Sequence, residues 1–169
     1  MSAGRFGEAS AAVRLHLLRH AHAGDAIDWE GDDDLRPLTQ KGRKQAERLG
    51  RFLCEHGVRP DVIVTSPKVR ALQTAEIVAT ELGMTVRSDS RLAFDFGKRE
   101  LWALLDDLGA REPMLVGHDP DFSELLGYLI DAAGLSMRKG TLATVDLETR
   151  LGDGEGVLRW LLPPELLAT

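Results

Sequence analysis

The chain has 169 residues, 43% of them hydrophobic and 28% charged, and its 21 basic and 27 acidic side chains leave a net charge of −6. That length fits one domain and falls well short of the about 250 residues of an eight-fold α/β barrel, and the composition is too apolar for a disordered chain. The acidic balance argues against a nucleic-acid binder with a broad basic surface, yet permits an anionic substrate, because a few local arginines outweigh a negative total.

Met1 to Ala12 carries Arg5 and Glu8 and lacks the apolar run of a signal peptide. It reads as a loose tail ahead of a single domain over residues 13–169. No stretch approaches the ~20 apolar residues of a membrane span, and a lone cysteine cannot form an internal disulfide, so no membrane partner and a cytoplasmic setting are expected. Cys54 lacks the downstream arginine of cysteine phosphatases: Arg59 comes one residue early and Pro60 holds the position. A buried helical cysteine is the expected reading.

Val13 to Leu18 is a β-like run that ends in the loop Arg19-His20-Ala21-His22-Ala23-Gly24. From Gly24 to Pro37 the chain is polar and acidic, with Asp25, Asp28, Glu30 and Asp32 to Asp34. This segment reads as a solvated loop, or as a rim that repels small anions or meets a basic partner. Thr39 is a natural N-cap for a helix carrying Ala46, Leu49 and Phe52/Leu53 on one face and stopping at Gly57. Asp61 to Thr65 is a β-branched run suited to a strand buried on both faces, and Ser66-Pro67 breaks it.

A helix follows from Val69 to Leu82, and Met84 to Arg87 suggests a short strand. Leu101, Leu104/Leu105 and Leu108 mark a third helix closed by Gly109. Pro113 to Val116 reads as a strand with the turn Gly117-His118-Asp119-Pro120 at its end, followed by a helix from Phe122 to Ile130. The remainder predicts a hairpin: Thr141 to Leu147, a glycine-rich turn at 152–156, and Val157 to Leu162.

Such alternation predicts an α/β three-layer sandwich with a mostly parallel central sheet flanked by helices. Open α/β sheets bind ligands at the carboxyl ends of their strands. Three polar clusters fall at such ends: Arg19-His20, Ser66 with nearby Arg70, and Gly117-His118. They are expected to converge. Arg19 and Arg70 would offer planar forks of donors matched to phosphate oxygens. Of His20 and His118, one neutral imidazole could attack phosphorus while the other bonds the phosphoryl oxygens or relays a proton. This chemistry needs no metal and no cofactor. His20-x-His22 with His118 and Asp119 could instead ligate a metal, a reading the two adjacent arginines weigh against. His16 is expected to face a sheet surface, His56 to lie at a helix end, and Lys139 to be a surface lysine.

Leu18-Arg19-His20-Ala21, Arg36-Pro37-Leu38-Thr39 with Gly42 and Gln45-Ala46, Thr65-Ser66-Pro67 with Arg70-Ala71, Gln73-Thr74-Ala75, and Val116-Gly117-His118 stand in that order. This series resembles the histidine phosphatase (phosphoglycerate-mutase-like) superfamily. The short chain and the Arg-Pro-Leu-Thr segment are most similar to its bacterial SixA-type phosphohistidine phosphatases. The resemblance runs from Val13 to Leu162 and includes the Arg-Trp-Leu-Leu-Pro ending. It implies a phosphoglycerate-mutase-like fold, His20 as the phosphorylated nucleophile, and Arg19, Arg70 and His118 as the rest of the phosphate pocket. The family's usual Arg-His-Gly is Arg-His-Ala here. Larger relatives carry an acidic proton donor between the second arginine motif and the second histidine. Asp89, Asp95 and Glu100 lie in that interval, none in a recognisable motif.

A leaving imidazole departs neutral once protonated, with a conjugate-acid pKa near ~6.5, and so demands less of a donor than an alkoxide. The expected activity is therefore dephosphorylation of phosphohistidine in a protein, or else of a small phosphomonoester. A non-catalytic module that binds a phosphorylated partner is the rival reading. A mutase would need enclosing insertions that so compact a chain lacks.

Overall fold

Among the described residues, six strands and four α-helices order the polypeptide: β1 Val13–Arg19, α1 Gln40–Glu55, β2 Val62–Thr65, α2 Val69–Leu82, β3 Val86–Ser88, α3 Lys98–Leu108, β4 Pro113–Gly117, α4 Asp121–Ile130, β5 Leu142–Leu147 and β6 Val157–Leu162. They come from a computed structural model that describes residues 12–148 and 154–168. The expected tail before residue 12 and the start of the glycine-rich turn lie outside the described residues.

The strands form one sheet in the order β3-β2-β4-β1-β5-β6. β1, β4, β2 and β3 are parallel neighbours, whereas β5 runs antiparallel to β1 and β6 antiparallel to β5. The mostly parallel sheet and the terminal hairpin are those expected from the sequence. Side chains alternate across β1. Leu15 and Leu17 pack with Leu101, Leu104, Phe122 and Leu126 of α3 and α4, while Leu18 packs with Leu49, Leu53, Ala75 and Val78 of α1 and α2. Two apolar cores therefore sandwich the sheet, each fully buried leucine worth about 1.5–3 kcal/mol against exposure. Three layers result.

The local signals explain the ends of the elements. Thr39 Oγ1 accepts the Gly42 N–H at 3.1 Å, capping α1. Gly83, with φ of 65°, closes α2 in the left-handed conformation. The Met84 N–H returns to the Ala79 carbonyl at 2.8 Å. Met84 thus belongs to the helix cap, and β3 starts two residues later than the expected Met84. Within the acidic segment, short 3-10 turns form at Ala26–Asp28 and Asp33–Leu35.

Cys54 departs from expectation. It lies in α1 but is exposed. The buried stripe of α1 comprises Gly42, Ala46, Leu49, Gly50 and Leu53, and one further residue turns the side chain away from it. Among the described residues, no helix is long and apolar enough to cross a membrane.

Candidate active site

The strand order places the carboxyl ends of β2, β4 and β1 side by side. In register, Arg19 pairs with Gly117 and Thr65 with Val116. Residues just beyond these pairs, His20, Ser66 and His118, are thereby gathered at one sheet edge. The His20 and His118 rings lie 5.3 Å apart between centroids, and both histidines are buried. Arg19 and Arg70 are close enough to act on His20 electrostatically. The four residues singled out in the sequence, Arg19, His20, Arg70 and His118, share one locality.

Backbone hydrogen bonds hold the loop after β1. His20 N–H donates to the Gly117 carbonyl at 2.9 Å, and Ala21 N–H donates to Thr74 Oγ1 at 3.0 Å. Thr74 in turn donates to the Arg70 carbonyl at 2.7 Å, tying this loop to the first turn of α2. His22 N–H donates to Gln45 Oε1 and Leu38 N–H to Gln73 Oε1, each at 2.9 Å. Four polar residues of the recurring motifs, Gln45, Gln73, Thr74 and Thr39, therefore act as clasps for the site loop.

His20 Nδ1 donates to the Ala21 carbonyl at 2.8 Å. That bond assigns the proton to Nδ1 and leaves the Nε2 lone pair bare. Burial, reinforced by the charges of His118, Arg70 and Arg19 and opposed by the Ala21 carbonyl, pushes the His20 pKa down to about 2. Burial and then Arg70 and Lys68 push His118 down to about 3. Both rings are neutral at physiological pH.

Each guanidinium is anchored at its far end. Arg19 Nη1 donates to the Met137 carbonyl at 2.6 Å and lies 3.5 Å from Asp119 Oδ2. Asp119 Oδ2 accepts from Ser123 Oγ at 2.6 Å, and Ser123 Oγ accepts the Met137 N–H at 2.9 Å, closing a circuit around Arg19. Arg70 Nη1 donates to the Asp33 carbonyl at 2.7 Å, and Nη2 lies 3.2 Å from Asp33 Oδ2.

Among the described residues, four buried side-chain polar atoms have no hydrogen-bond partner: Arg19 Nε, Arg70 Nε, His118 Nδ1 and Thr141 Oγ1. Three belong to the predicted pocket, and Thr141 bonds the backbone of Arg19 through its carbonyl. Buried orphans are rare, and donors left bare together at one edge match a tetrahedral oxyanion, whose oxygens accept but never donate.

Of the other residues singled out, His16 and His56 lie where expected, whereas Lys139 and the acidic loop do not. His22 Nδ1 faces Thr39 Oγ1 at 2.8 Å, and no group of three or more His, Cys, Asp or Glu side chains suited to a metal occurs among the described residues. His16 is buried in the sheet between Thr144 Oγ1 and Glu112 Oε1, and His56 caps α1 against Phe52. Lys139 is half-buried and donates to the Gly24 carbonyl at 2.8 Å, so it is a clasp on the acidic loop rather than a free surface lysine. Asp89 is bound by Arg91, and Glu100 closes the first turn of α3 onto Gly97 N–H. The Arg91 hydrogen bond holds Asp89 below the usual carboxylate range, unsuited to donate a proton. The acidic loop is not simply solvated: Asp33 meets Arg36 and Arg70, and Asp34 meets Lys68.

Two histidines and two arginines at the strand ends of this three-layer sheet define the class, a phosphoglycerate-mutase-like α/β protein. The chain belongs to the histidine phosphatase superfamily (branch 1), whose family model matches residues 15–109. The protein histidine phosphatase SixA complexed with tungstate is similar in structure, with a TM-score of 0.79 and 25% identity, covering 92% of this chain and 100% of that one. A protein assigned as SixA from Agrobacterium tumefaciens superposes with a TM-score of 0.74 at 25% identity, covering 90% of this chain and 98% of its own. An uncharacterized protein of Picosynechococcus is 35% identical over 119 residues, 66% of this chain and 70% of that relative. The mitochondrial serine/threonine-protein phosphatase Pgam5 of Drosophila melanogaster is 40% identical over 75 residues, 44% of this chain. That match spans only 25% of the Pgam5 chain.

Proposed function

We propose that the protein is a metal-independent phosphatase that forms a phosphohistidine on His20 and acts on phosphohistidine carried by a protein. The observation that carries this reading is the bare donor set, Arg19 Nε, Arg70 Nε and His118 Nδ1, around an imidazole whose Nε2 lone pair is free. His20 Nε2 attacks phosphorus in line. The bond from phosphorus to the leaving nitrogen breaks, and its electron pair stays on the leaving imidazole, which departs neutral after taking a proton from water; the hydroxide left behind is neutralised by the proton released in the second step. Arg19, Arg70 and His118 spread the charge on the equatorial oxygens, the main demand of phosphoryl transfer. Water then attacks the phosphohistidine, releasing inorganic phosphate and restoring neutral His20.

Two observations favour phosphohistidine over an alkyl phosphomonoester. Asp89 and Glu100 are committed to Arg91 and to the α3 cap and Asp95 is exposed in the turn before α3, and a site with no dedicated donor suits a leaving group that departs easily. The similar SixA structure is a protein histidine phosphatase binding an oxyanion, tungstate. The test is phosphate release from a phosphohistidine-bearing protein and from p-nitrophenyl phosphate, with chelator, with vanadate and in His20→Ala. Release that survives chelator, yields to vanadate and vanishes in the variant supports the reading. Binding of the phosphoprotein without turnover would assign a recognition module instead.

A further inference from the structure

Both Nη atoms of Arg70 are engaged by one residue, Asp33, through its carbonyl and its carboxylate. The same carboxylate accepts from Arg36 Nε at 2.8 Å. Arg36 is itself buried and fixed, its Nη1 donating to the Ala23 carbonyl at 2.7 Å and the Gly24 carbonyl at 3.1 Å. Asp33 also opens the 3-10 turn Asp33–Leu35, whose preceding Asp32 caps Asp34 N–H. The carboxylate is therefore a fixture between two arginines. The Arg36 hydrogen bond, with Arg70 and Lys68 behind it, holds it below the usual carboxylate range, so it is ionised at neutral pH.

Such a fixture has two consequences for Arg70. The guanidinium can turn neither away from the site nor about its own plane, because two of its nitrogens are held. Asp33 takes only one side of each Nη, so the second N–H of each Nη and the Nε N–H, which is buried and without a protein partner, remain to meet an oxyanion. An oxyanion on those donors also feels a fixed negative charge across the same guanidinium, which weakens its hold. A pocket with two arginines and no counter-charge would retain free phosphate, the product of the reaction, and stall.

We propose that Asp33 is a positioning and specificity-determining residue: it aims the Nε edge of Arg70 at the phosphoryl group, and its charge keeps inorganic phosphate weakly bound so that product leaves. This rests on the reading that the pocket receives phosphoryl groups. A substrate with further contacts to the protein overcomes the penalty; free phosphate does not.

The experiment is calorimetric titration of inorganic phosphate into the wild type, Asp33→Asn and Asp34→Asn, alongside inhibition of p-nitrophenyl phosphate hydrolysis by phosphate. Asn keeps the backbone carbonyl that accepts from Arg70 and an amide oxygen for Arg36, so it removes the charge together with the one contact from Oδ2 to Arg70 Nη2. Asp33→Asn is expected to bind phosphate about tenfold more tightly, with the inhibition constant falling in parallel and kcat not rising. Asp34→Asn, which touches Lys68 and reaches Arg70 and His118 only through its field, is expected to gain no more than about threefold. Unchanged or weaker phosphate binding in Asp33→Asn at wild-type Tm overturns the proposal, as does an equal gain in Asp34→Asn. If the wild type binds phosphate but turns over no substrate, the phosphatase reading fails while the affinity ratio still decides the role of Asp33. If neither the wild type nor Asp33→Asn binds phosphate, both fail.

Discussion

Ser66 Oγ lies 2.7 Å from His118 Nε2 and accepts the Lys68 N–H at 3.2 Å. The hydroxyl thereby ties the imidazole to the turn that opens α2, and where it donates its hydrogen to Nε2 the His118 proton sits on Nδ1. Nδ1 is the buried atom without a protein partner. The serine that follows β2 thus orients His118 and leaves its Nδ1 free for the proposed phosphoryl oxygens.

Ser66→Ala removes that orienting bond and leaves the fold's apolar contacts in place. It is expected to lower kcat about tenfold while KM stays within about threefold, a split that steady-state kinetics on p-nitrophenyl phosphate reads directly. Loss of stability without change in kcat would assign Ser66 to structure alone.

Lysine cannot reproduce the guanidinium fork at Arg19 or Arg70, because its single ammonium has neither the Nε edge nor the anchored Nη atoms. Arg70→Lys is expected to lower kcat/KM about a hundredfold and to loosen vanadate inhibition, since Nη1 and Nη2 contact Asp33 while Nε has no protein partner. Arg19→Lys would act likewise through loss of its Met137 and Asp119 anchors. Vanadate titration of both variants, with circular dichroism for the fold, checks this.

Buried neutral histidines make stability depend on pH. In the unfolded chain His20 and His118 take up protons below about 6.5, whereas in the folded protein burial holds them at about 2 and about 3. The unfolded state binds more protons across that interval. Their contribution is therefore complete above pH ~6.5 and is lost as pH falls toward 3, by at most about 1.4 kcal/mol per pH unit for each ring. Tm is expected to drop from pH 7 to pH 5, and His118→Gln to make that drop shallower.

Gly42 lets the first turn of α1 lie directly on the loop after β1, where an added Cβ would meet the His22 carbonyl. The Thr39 N–H bonds that same carbonyl at 3.0 Å, so the loop has no room to yield. Gly42→Ala is expected to destabilise by about 2–4 kcal/mol and lower activity with it, measured by urea unfolding and turnover together.

The convergence at the strand ends was legible because strand runs and turn residues are local signals. Val13 to Leu18, Asp61 to Thr65 and Pro113 to Val116 each announce a strand, and a parallel sheet then brings their carboxyl ends together. The partners that orient those residues were not legible. Asp33 reaches Arg70 across 37 positions and Ser66 reaches His118 across 52, pairings decided by packing rather than by pattern. The acidic loop shows the limit most clearly. Its charge pattern fitted a solvated rim, and only side-chain geometry reveals Asp33 and Asp34 set against Arg36, Arg70 and Lys68. Exposure of Cys54 was missed by a single helical step past Leu53.

The central claim is covalent chemistry at His20 Nε2. Its most direct measurement is rapid quenching of the protein with a phosphohistidine-bearing protein, followed by mapping of acid-labile, alkali-stable phosphate by mass spectrometry. Phosphate is expected on His20 and is expected to be absent in His20→Ala. Phosphate on another residue, or turnover that persists in His20→Ala, would contradict the claim.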